Sequence, residues 1–172
     1  VQTLLAGNHR LNLHEIYGEF GGKFVDRDQV EVSHFQGWID WAKEHNLKLD
    51  FNSTSFSHPK SGDLSLANPD KSIRDFWIEH TKRCRRIADA MGKAQGDPCI
   101  MNIWVHDGSK DLTVERYRYR QILKESLDEI LAEDLPHMKS CLEAKLFGIG
   151  LEAYTVGSHD FFAGYCSKNN AI

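Results

Sequence analysis

His14, Asn52, the run from Trp104 to Asp107, and Glu152 each stand directly after a short apolar stretch, at residues 10–13, 47–51, 100–103 and 146–151. If each stretch is a strand of one parallel sheet, these polar residues collect at its carboxyl ends, where α/β sheets and barrels build their sites. A neutral imidazole at His14 could hydrogen-bond a substrate hydroxyl, pass a proton or ligate a metal; the plainer role is a satisfied histidine in a barrel mouth. Glu152 is a carboxylate at the end of an apolar strand, a costly place unless it meets a salt bridge or a cation. Carboxylate oxygens of this kind suit Mn2+, Mg2+ or Co2+. Trp104 offers a flat face to the apolar side of a polyol and an N–H to one of its hydroxyls, with simple core packing as the alternative.

Other chemistry-bearing residues point less far. His106-Asp107 and Ser57-His58 fall in loops, where solvation is the expectation. Lys82, Arg83, Arg85 and Arg86 form a basic run beside the apolar stripe of a helix, which reads as a solvated face. Gly148-x-Gly150 lacks the third glycine and the helix start of a dinucleotide fingerprint. No nucleophile elbow, zinc-protease helix motif or phosphate-cradling loop occurs, which argues against acyl transfer, zinc proteolysis and nucleotide hydrolysis. Cys84, Cys99, Cys141 and Cys166 show no Cys-x-x-Cys spacing and read as reduced packing residues rather than a disulfide framework or a zinc site.

The elements that must position these groups follow from hydrophobic periodicity, which switches repeatedly between about 2 and about 3.6 residues. After the first strand comes a Gly-rich loop at 18–25, then a helix over 28–45 with Phe35, Trp38, Ile39 and Ala42 as its buried stripe. A second strand at 48–52 runs into a long Ser, His and Pro loop that continues to Asn68; a loop of that length is usually functional or disordered. Pro69 opens the clearest helix, in which Ile73, Phe76, Trp77, His80, Cys84, Ile87, Ala88 and Met91 recur every three or four residues and Gly92 and Gly96 end the pattern. The third strand, 99–104, is nearly continuously apolar, which predicts burial on both faces. A helix over 113–133 follows, with Thr113 as N-cap. A short amphipathic stretch at 138–143 then leads to the fourth strand at 146–151, and a last helix starts near Ser158. About four strand–helix units in 172 residues predict an α/β chain that is a partial (β/α)8 TIM barrel, residues 1–172 forming one incomplete domain, since a whole barrel takes about 250 residues.

The charge balance of 21 Lys and Arg against 25 Asp and Glu gives a net charge of -4. That balance offers no electrostatic reason for a nucleic-acid or anionic-membrane partner, and a neutral small molecule suits it as well. No apolar stretch approaches the roughly 20 residues of a membrane span, and no basic segment with an apolar h-region opens the chain, so a cytoplasmic protein is expected. Val rather than Met at position 1 fits a piece of a longer chain.

Eight segments carry a resemblance. Arg10-Leu11-Asn12-Leu13-His14, Leu49-Asp50-Phe51-Asn52, Phe56-Ser57-His58, Arg74-x-Phe76-Trp77-Ile78, Asn102-Ile103-Trp104, Asp107-Gly108-x-Lys110-Asp111, Lys145-Leu146-Phe147-Gly148-Ile149-Gly150 and Tyr154-Thr155-Val156-Gly157-Ser158 closely resemble L-rhamnose isomerase, in the family's order and from Arg10 onward. The resemblance is to the central part of a longer enzyme. It implies a xylose isomerase-like (β/α)8 barrel, homotetrameric when full length, that interconverts L-rhamnose and L-rhamnulose with divalent metals, commonly Mn2+, with Co2+ or Zn2+ as other candidates. The metals would supply Lewis-acid stabilisation of oxyanion charge and orient the open-chain sugar while hydrogen moves between C1 and C2. By the same resemblance Glu152 matches the glutamate that ligates the substrate-holding metal, and His14 and Trp104 match residues lining the sugar pocket.

The chain also departs from the family pattern. Ser53 and His106 stand where the family usually has Pro, and Leu151 replaces a small residue beside the metal glutamate. The remaining Asp and His ligands would belong to strands after Ile172, so this span alone is expected to be inactive: one carboxylate cannot make a four to six coordinate site. The alternative class is a non-catalytic truncated barrel or assembly piece. A DNA-repair endonuclease on the same barrel plan is opposed by the acidic balance and the lack of a basic groove.

Overall fold

The structure, a computed structural model, describes residues 4, 6–108, 115–144 and 155–169. Four strands, β1 (Arg10–His14), β2 (Lys48–Ser53), β3 (Cys99–Trp104) and β4 (Met138–Glu143), form one parallel sheet in the order β1-β2-β3-β4. The helices are α1 (Gln36–Glu44) between β1 and β2, α2 (Lys71–Gln95) between β2 and β3, α3 (Arg116–Leu131) between β3 and β4, and α4 (His159–Cys166) after β4. Strictly sequential parallel order requires each connection to run back over the sheet, and helices do this here. No described helix is long and apolar enough to cross a membrane.

Burial alternates along β3: Cys99, Met101 and Ile103 are buried, while Ile100, Asn102 and Trp104 are only half-buried. The expectation of two buried faces is therefore corrected. Leu13, Phe51, Met101 and Ser140 form one row across the register on the helix-covered side. Phe35 from the turn before α1 meets Phe51 edge to face at 5.0 Å. α2 supplies most of the covering layer through Trp77, Cys84, Ile87, Ala88 and Met91.

The start and stop of α2 follow from its sequence. Asp70 is the N-cap, its side chain accepting from the Ser72 amide at 2.9 Å, and Pro69 lies just before it rather than inside the first turn. Gly96 closes the helix in the left-handed region at φ 64. Gly92 answers a different demand: a Cβ there would stand 1.7 Å from the His137 carbonyl oxygen. That carbonyl already accepts from the Cys99 amide at 3.1 Å, where α2, β3 and the approach to β4 converge.

Several expectations change. The helix expected over 28–45 is α-helical only at Gln36–Glu44; Arg27–Gln29 and Val32–Phe35 are short 3-10 turns. The fourth place in the sheet is taken by Met138–Glu143, the stretch expected to be amphipathic, and residues 146–151 lie outside the described residues. Thr113 also lies outside them, and Glu115 is the N-cap of α3. Ser158 does stand at the N-cap of α4, but its hydroxyl is engaged by Arg120 and Asp160 instead of a backbone amide. The basic run on α2 is not a solvated face. Lys82 pairs with Glu129 at 2.7 Å and Arg86 with Glu133 at 3.0 Å, both across to α3 and its end. Arg85 is buried and donates to the Ile130 and Glu133 carbonyls at 2.5 and 3.1 Å, satisfying backbone acceptors that the end of α3 leaves open. Cys84 and Cys99 are buried packing residues, Cys141 is exposed, and all four cysteines are free.

Candidate functional site at the strand carboxyl ends

Register decides which side chains share the open end of the sheet. His14 is opposite Asn52, Asn52 opposite Asn102, and Trp104 opposite Glu143. Together with Ser53 and Phe56 these residues line a cleft of about 240 Å³. Its polar side is bonded into place: Asn52 Nδ2 lies 3.1 Å from His14 Nε2, His14 Nδ1 lies 2.9 Å from Thr54 Oγ1, and Asn102 donates to the Glu143 carboxylate. Its apolar side is the edge-to-face pair of Phe56 and Trp104, ring centres 5.4 Å apart. A polar floor beside an aromatic wall can bind a small polyhydroxyl compound that also carries an apolar group.

The loop over 54–68, which carries Phe56, is folded inward and not disordered. Leu64, Leu66 and Ala67 reach the core. Asp107, fully buried just past β3, gathers the loop by accepting from the Ser65 amide, the Ser65 hydroxyl and the Ala67 amide at 2.7, 2.5 and 2.6 Å. Its own carbonyl accepts from the Val156 amide at 3.0 Å. His106 is buried against Ser55 Oγ at 3.0 Å and the Gly62 carbonyl at 3.1 Å. His58 pairs with Asp26 at 3.1 Å and stacks on Phe76. None of these three is the solvated loop residue that was expected; each ties loop to scaffold.

Of the sequence-chosen residues, His14 and Trp104 come together in the cleft and Asn52 joins them. Glu152 lies outside the described residues. Among the described residues no three His, Cys, Asp or Glu side chains converge as a metal-binding group, so these residues do not by themselves make up the divalent site that the resemblance implies.

Sequence reasoning passed over Asn102, Glu143, Phe56 and Glu15. Asn102 had a usable signal, since a period of two puts it on the face of Trp104. Glu143 was hidden because Met138, Ser140 and Leu142 alternate too weakly to mark a strand. Glu15 is the most unusual of them. It is 1% exposed, neither carboxylate oxygen makes a hydrogen bond, and the nearest cation is Arg27 with Nη1 at 3.6 Å. Burial pushes its carboxyl up to about 7, against the opposing influence of the Thr54 hydroxyl and Arg27.

Comparison with known proteins bears directly on this arrangement. The family model for L-rhamnose isomerase (RhaA) matches residues 1–172. The chain is 71% identical over 170 residues to the L-rhamnose isomerase of Bacteroides thetaiotaomicron, covering 99% of this chain and 41% of that protein. It is 55% identical over 173 residues to the enzyme of that name from Rhodopirellula baltica, and 51% identical over 173 residues to that of Mannheimia succiniciproducens; the matches cover 99% of this chain and 40% and 41% of those proteins. The chain thus spans about two fifths of the length of these relatives, and a match of this extent and closeness means that it belongs to the L-rhamnose isomerase family.

Proposed function

We propose that the complete protein containing this span interconverts L-rhamnose and L-rhamnulose, an aldose–ketose isomerisation that depends on a divalent metal. The observation that supports it most is the cleft at the strand carboxyl ends, where His14, Asn52, Asn102 and Glu143 face an aromatic wall of Phe56 and Trp104. The polar residues would hold sugar hydroxyls, and the wall would take the methyl end or an apolar ring face of a deoxysugar. The parallel sheet in sequential order supports the further reading that it is a central part of a xylose isomerase-like (β/α)8 barrel.

Bound divalent metal, Mn2+ in this reading, would supply Lewis-acid charge stabilisation. Glu152 would be one ligand, with the rest coming from residues that this span does not provide. For that reason the 172 residues alone are proposed to be inactive. A homotetrameric, cytoplasmic enzyme is part of the same proposal.

The test is an assay for L-rhamnulose formation from L-rhamnose with Mn2+, run on this span and on the complete protein. Turnover by the complete protein only, abolished by Glu152→Gln, supports the reading. Failure of the complete protein with Mn2+, Co2+ and Zn2+ favours the alternative of a non-catalytic barrel scaffold.

A further inference from the structure

Phe56 forms half of the aromatic wall, yet it is 42% exposed, so burial alone does not fix its ring. What fixes it lies on either side of it in the chain. On one side Arg27 Nη1 donates to the Thr54 carbonyl at 2.5 Å, and Ser55 is buried with its hydroxyl 3.0 Å from His106 Nδ1. On the other, His58 Nδ1 accepts from the Lys60 amide at 3.1 Å, so Nε2 carries the proton and donates it to Asp26 at 3.1 Å, while the ring stacks on Phe76. Between these anchors Ser57 stands at φ 58, in the left-handed region that a serine occupies where its flanks hold it there. Phe56 is therefore the projecting tip of a short turn pinned on both sides.

His106 is the anchor that also reaches the other half of the wall. Its Nε2 lies 3.1 Å from the Gly62 carbonyl and 3.2 Å from that of Ser61. Carbonyl oxygens only accept, so Nε2 carries a proton, and in the neutral ring Nδ1 accepts from the Ser55 hydroxyl. One buried imidazole thus fastens the loop before and after Phe56. The same ring lies beside that of Trp104, centres 6.2 Å apart, and the two residues belong to one continuous stretch at the end of β3. The place of Phe56 is set from the strand end that carries its partner in the wall.

We propose that His106 is a positioning residue for sugar selection: by holding Ser55 and the 61–62 carbonyls it keeps the Phe56 ring edge to face with Trp104, and so fixes the room left for the apolar end of the sugar. This deepens the isomerase reading and rests on it. A methyl group at C6 packs against two rings, whereas a hydroxymethyl group brings a hydroxyl that an aromatic wall does not satisfy. Loosening the wall removes the advantage of L-rhamnose over its 6-hydroxyl counterpart, L-mannose.

The experiment uses the complete protein with Mn2+ and a double-variant cycle of His106→Ala and Phe56→Ala, together with His106→Gln and Ser55→Ala. The first readout is the ratio of kcat/KM for L-rhamnose to that for L-mannose. His106→Ala should lower the ratio about tenfold, chiefly by raising KM for L-rhamnose, with kcat changing less than about threefold. The double variant should match Phe56→Ala alone, because His106 acts through a ring already removed. His106→Gln, whose amide can donate to the carbonyls and accept from Ser55, should stay within about twofold of the parent ratio, and Ser55→Ala should lower it about threefold. An unchanged ratio in His106→Ala, or two effects that multiply in the double variant, overturns the proposal and leaves His106 structural. Should His106→Ala fail to fold, Ser55→Ala takes its place in the cycle. The second readout needs no turnover: the 19F signal of Trp104 in protein labelled with 5-fluorotryptophan, assigned through Trp104→Phe. His106→Ala should shift that signal by one amount with Phe56 in place and by another in the Phe56→Ala background; equal shifts overturn the proposal. If the parent shows no turnover with any divalent metal, the isomerase reading falls, while the 19F cycle still decides whether His106 positions the wall.

Discussion

Asp107 Oδ1 accepts from both the amide and the hydroxyl of Ser65, at 2.7 and 2.5 Å, and so fastens the loop after β2 to the end of β3. The two walls of the cleft depend on this bond, because Phe56 rides on that loop and Trp104 precedes Asp107 by three residues. A carboxylate can satisfy three donors with two acceptor oxygens; an amide cannot.

Asp107→Asn turns an NH2 group toward donors that had been satisfied, either at Ser65 or at the Ala67 amide. Leaving such buried groups unpaired should cost about 2–3 kcal/mol, read as a shift of the denaturation midpoint. Ser65→Ala, which removes only one of the three donors, should cost about 1 kcal/mol. Equal small effects, within about 0.5 kcal/mol of the parent, would show that the clamp is dispensable.

Much of this fold is legible in the sequence because periodicity and caps act locally. β1, β3 and α2 fall where short apolar runs, Gly96 and the apolar stripe from Ile73 to Met91 put them, although these do not foretell the alternating burial along β3. What is not legible depends on distant partners. Arg85 reads as one more cation on a polar face until α3 is known to end beside it, and Asp107 reads as a loop acid until the Ser65 amide is brought to it. Met138–Glu143 pairs with β3 through backbone bonds that its mixed side chains do not advertise. In the site, His14 and Trp104 announce themselves at strand ends, whereas Glu15 is silent: a glutamate after a strand normally points to water.

Arg85 should behave as a buried cation with carbonyl partners. Arg85→Ala leaves the Ile130 and Glu133 carbonyls without their donors and opens a void, and should cost about 3 kcal/mol or more. Arg85→Met keeps the volume and should cost less. If both variants melt together, the hydrogen bonds that both have lost, and not packing, are the contribution that matters.

Two glycines give opposite expectations in the same assay. Gly92→Ala would force a methyl group against the His137 carbonyl at 1.7 Å, displacing backbone that β3 also uses, and should cost about 3 kcal/mol or more. Gly164, inside α4, has open space where its Cβ would be. Gly164→Ala should be neutral or stabilising by up to about 1 kcal/mol. Thermal unfolding of both would separate a packing requirement from helix propensity, and an unperturbed Gly92→Ala would contradict the close approach of α2 to the segment before β4.

The buried carboxyl of Glu15 makes stability depend on pH in an uncommon direction. Its pKa rises from the ordinary 4.5 to about 7 on folding, chiefly through burial. The folded state therefore binds this proton more tightly than the unfolded chain does, so the group's contribution is fully present below pH 4.5 and is lost as pH rises towards 7. Glu15→Gln mimics the protonated acid in size and carries no proton to lose. Relative to that variant, the parent should match it below pH 4.5, fall behind progressively as pH rises from there to about 7, and level off above, by up to ~3 kcal/mol. His80 acts in the opposite sense, because its pKa is lowered to about 4 and stability is lost as pH falls below its ordinary 6.5. Both proteins contain His80, so its contribution cancels in the difference. Denaturant unfolding of the pair at pH 5, 6, 7 and 8 measures that difference directly. A constant difference across the series would mean that Glu15 keeps an ordinary pKa in the folded protein, and that water or a partner group satisfies its carboxylate.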